Sequence, residues 1–319
     1  MSSPTLLQTL QIDARQLAAE ALAGLQQPAA RVSPKFLYDA LGSRLFDAIT
    51  ELDEYYLTRA EAQIFTTHSG DMAAAAHAAC GGSSTLIDLG AGNCAKAARL
   101  FPALQPRRYL ALDISVDYLA EALAQLQQRH PDIEMAGLGL DFSARLALPA
   151  GWEDPRALIF YPGSSIGNFT PPEALRLLSE ARALAPAGAL LIGVDLVKDK
   201  SRLDAAYDDP LGVTAAFNLN LLRHLNRLAG CDFDLHEWRH VACFEATKSR
   251  IEMHLEARRN LTLRWPGGAR GFAAGERIHT ENSCKWTPEG FAALLHDAGW
   301  RRLQHWCDAA GDFAVFLAS

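Results

Sequence analysis

The chain has 319 residues, 49% hydrophobic and 21% charged, material for about two globular domains. Its formal net charge of -7 argues against a nucleic-acid or anionic-membrane partner, since both need a basic face. No apolar run approaches the roughly 20 residues that span a bilayer, the first residues lack the basic segment and apolar core of a signal peptide, and six scattered cysteines without a CxxC fit reduced thiols in a cytoplasmic protein.

In chain order, the first 60 residues read as helical. QIDARQLAAEALAGL and SRLFDAITEL place apolar residues at three- and four-residue spacing, and a further helix is expected from about Arg59 to Ala79. The pattern then changes. STLIDLG, RYLALDI, DIEMAGLGL, RALIFYPG and GALLIGVDL are strand-sized apolar runs. Helical runs separate most of them, and PPEALRLLSEARALA carries proline at its start. Such alternation predicts a parallel sheet covered on both faces, a doubly wound α/β domain. After Leu196 the alternation stops. A more polar insert with period-two stretches runs to about Thr287, and the chain closes on a helix and two strands. The expected division is therefore one domain from 60–195 and 287–319, and a smaller α+β domain from 1–59 and 196–286.

The first strand-to-helix turn is 88-DLGAGNCAK-96. Gly90, Gly92 and Ala95 fit GxGxxG/A, in which glycines allow a tight turn and close approach of a ligand. Asp113 ends the next strand, where an acid bonds ribose hydroxyls. This alone does not separate a dinucleotide from S-adenosylmethionine. Three features favour the latter. Asp88, just before the first glycine, suits a ligand with a cationic amino-acid end and repels a pyrophosphate. The long helical leader and the closing hairpin, in which the last strand inserts antiparallel, are unusual for a dinucleotide fold and usual for a methyltransferase sheet. Asp141 closes the third strand, near where an adenine would lie.

The stretch 236-HEWRH-240 matches the zinc-protease pattern. That pattern needs a helix and a third ligand, whereas the surrounding residues alternate with a strand-like period of two. On a strand the two histidines would stand about 13 Å apart, too far for one metal, so no metal is expected. Cys284-Lys285 reads as a structural cysteine, because no partner histidine lies nearby in sequence.

Larger blocks resemble a known family. The segments 34-PKFLYDALGSRLFDAITELDEYYLTRAEAQI-64, 88-DLGAGNCAK-96, 163-GSSIGNF-169, 207-YDDPLGVTAAFN-218, 250-RIEMHL-255 and 281-ENSCKW-286 are similar to the histidine Nα-methyltransferases of ergothioneine biosynthesis. The resemblance implies a Rossmann-like class I methyltransferase domain with a smaller α+β substrate-binding domain. It also implies S-adenosylmethionine as cofactor, L-histidine as small-molecule substrate, hercynine as product and a monomer. Position by position, it carries cofactor contact to Gly90, Lys96, Asp113 and Asp141 with Tyr38, and Asp88 and Gly92 join them from the loop itself. Tyr55, Asn168 and Tyr207 would hold the substrate's amino-acid end, Glu281 and Ser283 the imidazole, and Phe46, Gly163 and Met253 would line the pocket. Family position selects Tyr55 over Tyr56, which spacing does not separate. Tyr38, Tyr55 and Asn168 are the catalytic candidates.

The chemistry is consistent residue by residue. On an extended strand Glu281 and Ser283 face one side. A carboxylate accepts the imidazole N–H and a hydroxyl serves the other nitrogen. Asn168 carries both a donor and an acceptor for an amino acid; its alternative use is as a helix cap, a place Thr170 also fits. The competing expectations are a methyltransferase acting on another histidine derivative or small amino compound, an NAD-dependent oxidoreductase, and a non-catalytic S-adenosylmethionine-binding module.

Overall fold

The apolar runs form strands and the periodic runs between them form helices. The computed structural model describes residues 4–8, 14–82 and 85–319; the expected helix start over 11–13 and strand start at Ser84 lie outside them. A short strand β1 (Thr5–Gln8) precedes helices α1 (Ala14–Leu25), α2 (Ala40–Thr50) and α3 (Leu57–Ala79). The alternating region supplies β2 (Thr85–Leu89), α4 (Ala95–Leu104), β3 (Arg108–Asp113), α5 (Val116–Arg129), β4 (Glu134–Gly139), β5 (Leu158–Tyr161), α6 (Pro171–Leu184) and β6 (Ala189–Asp195). The insert supplies α7 (Lys200–Tyr207), α8 (Val213–Ala229), β7 (Trp238–Glu245), β8 (Arg250–Ala257), β9 (Leu261–Trp265), β10 (Gly268–Phe272) and β11 (Arg277–Cys284). The chain closes with α9 (Pro288–Asp297), β12 (Leu303–Cys307) and β13 (Phe313–Ala318).

The chain divides into two units. One gathers β1, Leu57–Val197 and Cys284–Ser319; the other gathers α1 through Tyr56 and Lys198–Ser283. The first unit holds an eight-stranded sheet of order β1-β4-β3-β2-β5-β6-β13-β12. Its strands β1 to β6 pair in parallel, and β13 inserts antiparallel between β6 and β12. Strands β2, β5, β6 and β13 are buried at every residue, as expected of strands covered on both faces. The chain order reverses between β2 and β5, which makes the carboxyl ends of those strands the ligand-binding edge. Helix α6 starts where Pro171 follows Thr170, and the Glu173 carboxylate accepts both the N–H and the O–H of Thr170 at 2.8 and 2.6 Å.

Strand β1 is a correction to the helical leader and to the 1–59 assignment. Residues 5–8 pair with β4 at the sheet edge. The strand is four residues long with Leu6 half exposed, too short for its two leucines to mark a strand in the sequence.

The second unit holds a three-stranded sheet of order β11-β8-β7, in which β7 and β8 are antiparallel, and an antiparallel β9–β10 hairpin. Helix α8 packs against α1, α2 and β7. The period-two stretches are its strands; α7 and α8 are helices that the alternation did not signal. The HEWRH segment divides. Leu235–Glu237 is a 3-10 turn with His236 exposed, and only Trp238 onward is strand.

Candidate active site

In the first unit the glycine turn folds over the end of β3. The N–H groups of Gly90 and Ala91 donate to the Leu112 carbonyl at 2.8 and 3.0 Å. The Gly92 N–H donates to Asp113 Oδ2 and the Ser115 N–H to Oδ1, each at 2.8 Å. Gly90 and Gly92 have φ of +70° and +52°, the left-handed region glycine enters at no steric cost. A Cβ at Gly92 would meet nothing within 4 Å, and one at Gly90 would meet only the Phe142 ring, at 3.8 Å. The turn therefore presents open backbone beside an acid whose oxygens keep further lone pairs for ribose hydroxyls. Burial raises the Asp113 carboxyl, against the N–H bonds from Ser115 and Gly92 that lower it.

Asp88 lies behind the turn at the end of β2 and is 1% exposed. Its Oδ2 accepts from the Tyr109 hydroxyl at 2.7 Å, while its Oδ1 is buried with no hydrogen-bond partner among the described residues. Burial pushes its carboxyl up to about 7, Asp113 adds to the rise, and the Tyr109 bond and Lys96 oppose it. A buried acceptor left unmade is costly, and a cationic ligand group would satisfy it. A pyrophosphate would add charge of the same sign. Burial also pushes the neighbouring Cys94 thiol up to about 12, which makes it inert. Asp141 follows β4, and its Oδ1 accepts from the Ser143 N–H at 3.0 Å and from the Ser143 hydroxyl. Lys96 stands in the first turn of α4 and donates to Glu61 at 2.7 Å. These groups fit a ligand with ribose hydroxyls at one end and an ammonium and a carboxylate at the other.

The loop after β5 holds Gly163, with φ of +78°, and a 3-10 turn over Ser165–Asn168. Thr170 caps α6, so half-buried Asn168 lies outside the cap. A Cβ at Gly167 would stand 3.0 Å from the Cys284 carbonyl oxygen, so glycine there lets the loop approach the chain around Cys284 closely. The Cys284 thiol donates to the Phe169 carbonyl at 3.4 Å, a structural use.

In the second unit the aromatic candidates form a connected group. Ring centroids lie 5.6 Å apart for Tyr38 and Phe46, 6.2 Å for Phe46 and Tyr55, and 6.1 Å for Tyr55 and Tyr207. Phe217 packs on Tyr38 and Phe46. The structure separates the two adjacent tyrosines. Tyr55 joins this group, whereas Tyr56 lies under Lys198 and Arg202 and accepts a bond from Lys198 at 2.6 Å. The Tyr207 hydroxyl lies 2.7 Å from Ser283 Oγ. Glu281 and Ser283 are both buried on β11, and Asn282 between them turns away to His279 at 2.9 Å. Met253 on β8 is buried, and its carbonyl accepts from Thr280 at 3.1 Å.

Sequence reasoning missed the groups behind these. Tyr109 supports Asp88, and Phe142 lies over Gly90. His240 bridges α8 and α7: Nδ1 faces the Asn218 amide nitrogen at 2.9 Å and Nε2 faces the Tyr207 carbonyl at 2.8 Å. Both links run between segments distant in sequence, where no spacing rule reaches. Among the described residues no group of three or more His, Cys, Asp or Glu could hold a metal.

A family model for histidine-specific, S-adenosylmethionine-dependent methyltransferases matches residues 17–319. The chain is 44% identical over 314 residues to the histidine N-alpha-methyltransferase of Mycolicibacterium smegmatis, an alignment covering 94% of this chain and 95% of that one. It is 40% identical over 311 residues to the protein of the same name from Mycobacterium tuberculosis, covering 95% and 94%. It is 32% identical over 280 residues to ergothioneine biosynthesis protein 1 of Neurospora crassa, covering 85% of this chain and 31% of that one.

Proposed function

The chain belongs to the family of histidine-specific, S-adenosylmethionine-dependent methyltransferases, and from that premise we propose that it trimethylates the α-amino group of L-histidine to hercynine, a step of ergothioneine biosynthesis. The first unit is the cofactor domain and the second the substrate domain. The observation that carries the substrate reading is the pair on β11. A buried carboxylate, Glu281, and a buried hydroxyl, Ser283, stand two residues apart, and Ser283 bonds Tyr207 at 2.7 Å. A neutral imidazole offers one N–H and one acceptor nitrogen. Glu281 takes the first and Ser283 serves the second, and an apolar analogue would forfeit both bonds.

S-adenosylmethionine supplies a methyl group on a sulfonium. Asp88, Gly90, Gly92, Lys96, Asp113 and Asp141 hold it. By the family resemblance, Tyr55, Tyr207, Phe46 and Met253 of the second unit, and Asn168 and Gly163 of the first, are the residues that serve histidine. An α-amine with pKa near 8 loses its proton at about 1.4 kcal/mol at neutral pH, a free amino acid somewhat more, and desolvation lowers that cost. Positioning therefore carries the rate without a strong base. Tyr38 and Tyr55 steer the amine or relay its proton through water. Their rings and those of Phe46 and Phe217 also offer aromatic surface that favours the quaternary ammonium as methyl groups accumulate.

The chain works as a cytoplasmic monomer in this reading. All six cysteines are thiols, and no helix among the described residues is long and apolar enough to cross a membrane. Incubation of the purified protein with S-adenosylmethionine and L-histidine is expected to give mono-, di- and trimethylated histidine by mass, with every methyl on the α-nitrogen by fragmentation. Ring methylation, or no product from histidine, would overturn the reading.

A further inference from the structure

Glu61 lies on the inner face of α3 among Leu57, Ala60, Ile64 and Phe65 and is 1% exposed. Its Oε2 accepts from Lys96 Nζ and its Oε1 from the Gly163 N–H, each at 2.7 Å. Two glycines admit it. A Cβ at Gly193 on β6 would stand 2.3 Å from Glu61 Oε1, and one at Gly163 would stand 2.9 Å from Lys96 Nζ. One buried carboxylate thus ties the first turn of α4 to the loop after β5.

A lysine in the first turn of a helix faces the positive end of the dipole, which disfavours it. The Glu61 carboxylate offsets that and fixes the ammonium by a charge-assisted bond. An ammonium has three donors and Glu61 takes one. The Lys96 side chain stays 35% exposed, so its other donors are open to a ligand. A buried ion pair gives little net stability compared with well-packed apolar residues, and apolar residues surround Glu61 on the same face. What the carboxylate holds explains its presence better than what it adds to the fold.

We propose that Glu61 is a positioning residue that, by gripping Lys96 and the Gly163 amide, sets where the amino-acid end of the cofactor is held. This rests on the assignment of Lys96 to the cofactor. Calorimetric titration of the full chain with S-adenosylhomocysteine and with 5′-methylthioadenosine, which lacks the amino-acid end, tests it. Glu61→Gln is expected to weaken S-adenosylhomocysteine by about tenfold or more, the scale of a lost bond to a charged group, and to leave methylthioadenosine within about twofold. In a Lys96→Gln background the Glu61 effect should vanish. Parallel loss for both ligands, no loss for either, or an effect that persists without Lys96 would overturn the proposal, whatever the melting temperature does. If Glu61→Gln does not fold, Glu61→Asp keeps the charge, shortens the reach and reads the same ratio. A wild-type chain that bound methylthioadenosine and S-adenosylhomocysteine equally well would instead overturn the cofactor assignment of Lys96, a separate failure.

Discussion

The two units bury titratable groups of opposite kind. In the first, burial pushes Asp88 up to about 7 and raises Asp113. In the second, burial lowers His240 and His279 and, with the adjacent His279, takes His254 down to about 4 against the pull of Glu252. Burial also acts on Glu252, but hydrogen bonds from Arg250 and Lys248 outweigh it and lower that carboxyl to about 2. The signs follow from linkage. Folded Asp88 keeps a proton that the unfolded chain releases near 3.8, so the stability it contributes is complete below that pH and lost as pH rises to about 7. The histidines work the other way. Their contribution is complete above the ordinary 6.5 and lost as pH falls, toward about 4 for His254. Acid therefore loosens the second unit while it supports the Asp88 corner of the first.

The largest expected effect tests how dry the first unit is. Lys285 and Asp195 form an ion pair at 2.7 Å with both side chains fully buried. Lys285→Met removes the cation that neutralises Asp195, and the cost should be about 3–5 kcal/mol in urea unfolding. A loss below about 1 kcal/mol is what a solvated pair would give, and it would contradict the burial. The next effect breaks the pH contrast itself. The Asp88 shift corresponds to about 4 kcal/mol between its extremes. Asp88→Asn should flatten the pH dependence of hydrogen-exchange protection, taken relative to intrinsic exchange, in β2 and β3 across the window from 3.8 to about 7. Protection in β7, β8 and β11 should still fall as pH falls below the ordinary histidine value. If protection in both regions changed with pH in the same direction in the wild type, the contrast would be lost.

A smaller effect separates the units by ligand. Glu281→Ala removes the proposed acceptor of the imidazole N–H and should raise KM for histidine roughly thirty-fold, about 2 kcal/mol. S-adenosylhomocysteine affinity should stay unchanged. Loss of both affinities would mean that Glu281 supports the fold and does not read the substrate.

How much of this the sequence discloses depends on where each partner sits. Asp88, Gly90, Gly92, Asp113 and Asp141 are legible because strand ends and a glycine turn mark them locally, and the parallel alternation fixes where strand ends gather. Residues 5–8 are not legible as a strand, because an edge strand of four residues needs little apolar density. Helix α8 hides in the insert because it follows no strand. Glu61 leaves a faint signal, an acid on the 57, 60, 61, 64, 65 face that is otherwise buried and mostly apolar. Tyr109 gives none, since an inward tyrosine on a buried strand reads as packing until Asp88 is seen beside it. Glu281 and Ser283 are two residues on a strand, and only the resemblance gives that spacing a meaning.

The smallest effect concerns the histidine that first suggested a metal. His240 Nε2 lies 2.8 Å from the Tyr207 carbonyl, which only accepts, so Nε2 carries the proton. Nδ1 must then accept from the Asn218 amide at 2.9 Å, and that amide also donates to the His254 carbonyl at 3.0 Å. One neutral tautomer satisfies every contact, in keeping with the lowered pKa that burial causes, which the bond to the Tyr207 carbonyl and then Asp208 and Asp209 only partly oppose. Protonation would turn Nδ1 into a donor facing a donor and loosen α7 at Tyr207, whose hydroxyl bonds Ser283. Relative to His240→Gln, the wild type should bind histidine about fivefold more tightly at alkaline pH, one neutral hydrogen bond's worth. That advantage should fade as pH falls below the ordinary value of about 6.5. The substrate's own imidazole titrates alike in both proteins, so the ratio isolates His240. A ratio that stayed constant with pH would show that His240 does not position Tyr207 through its neutral ring.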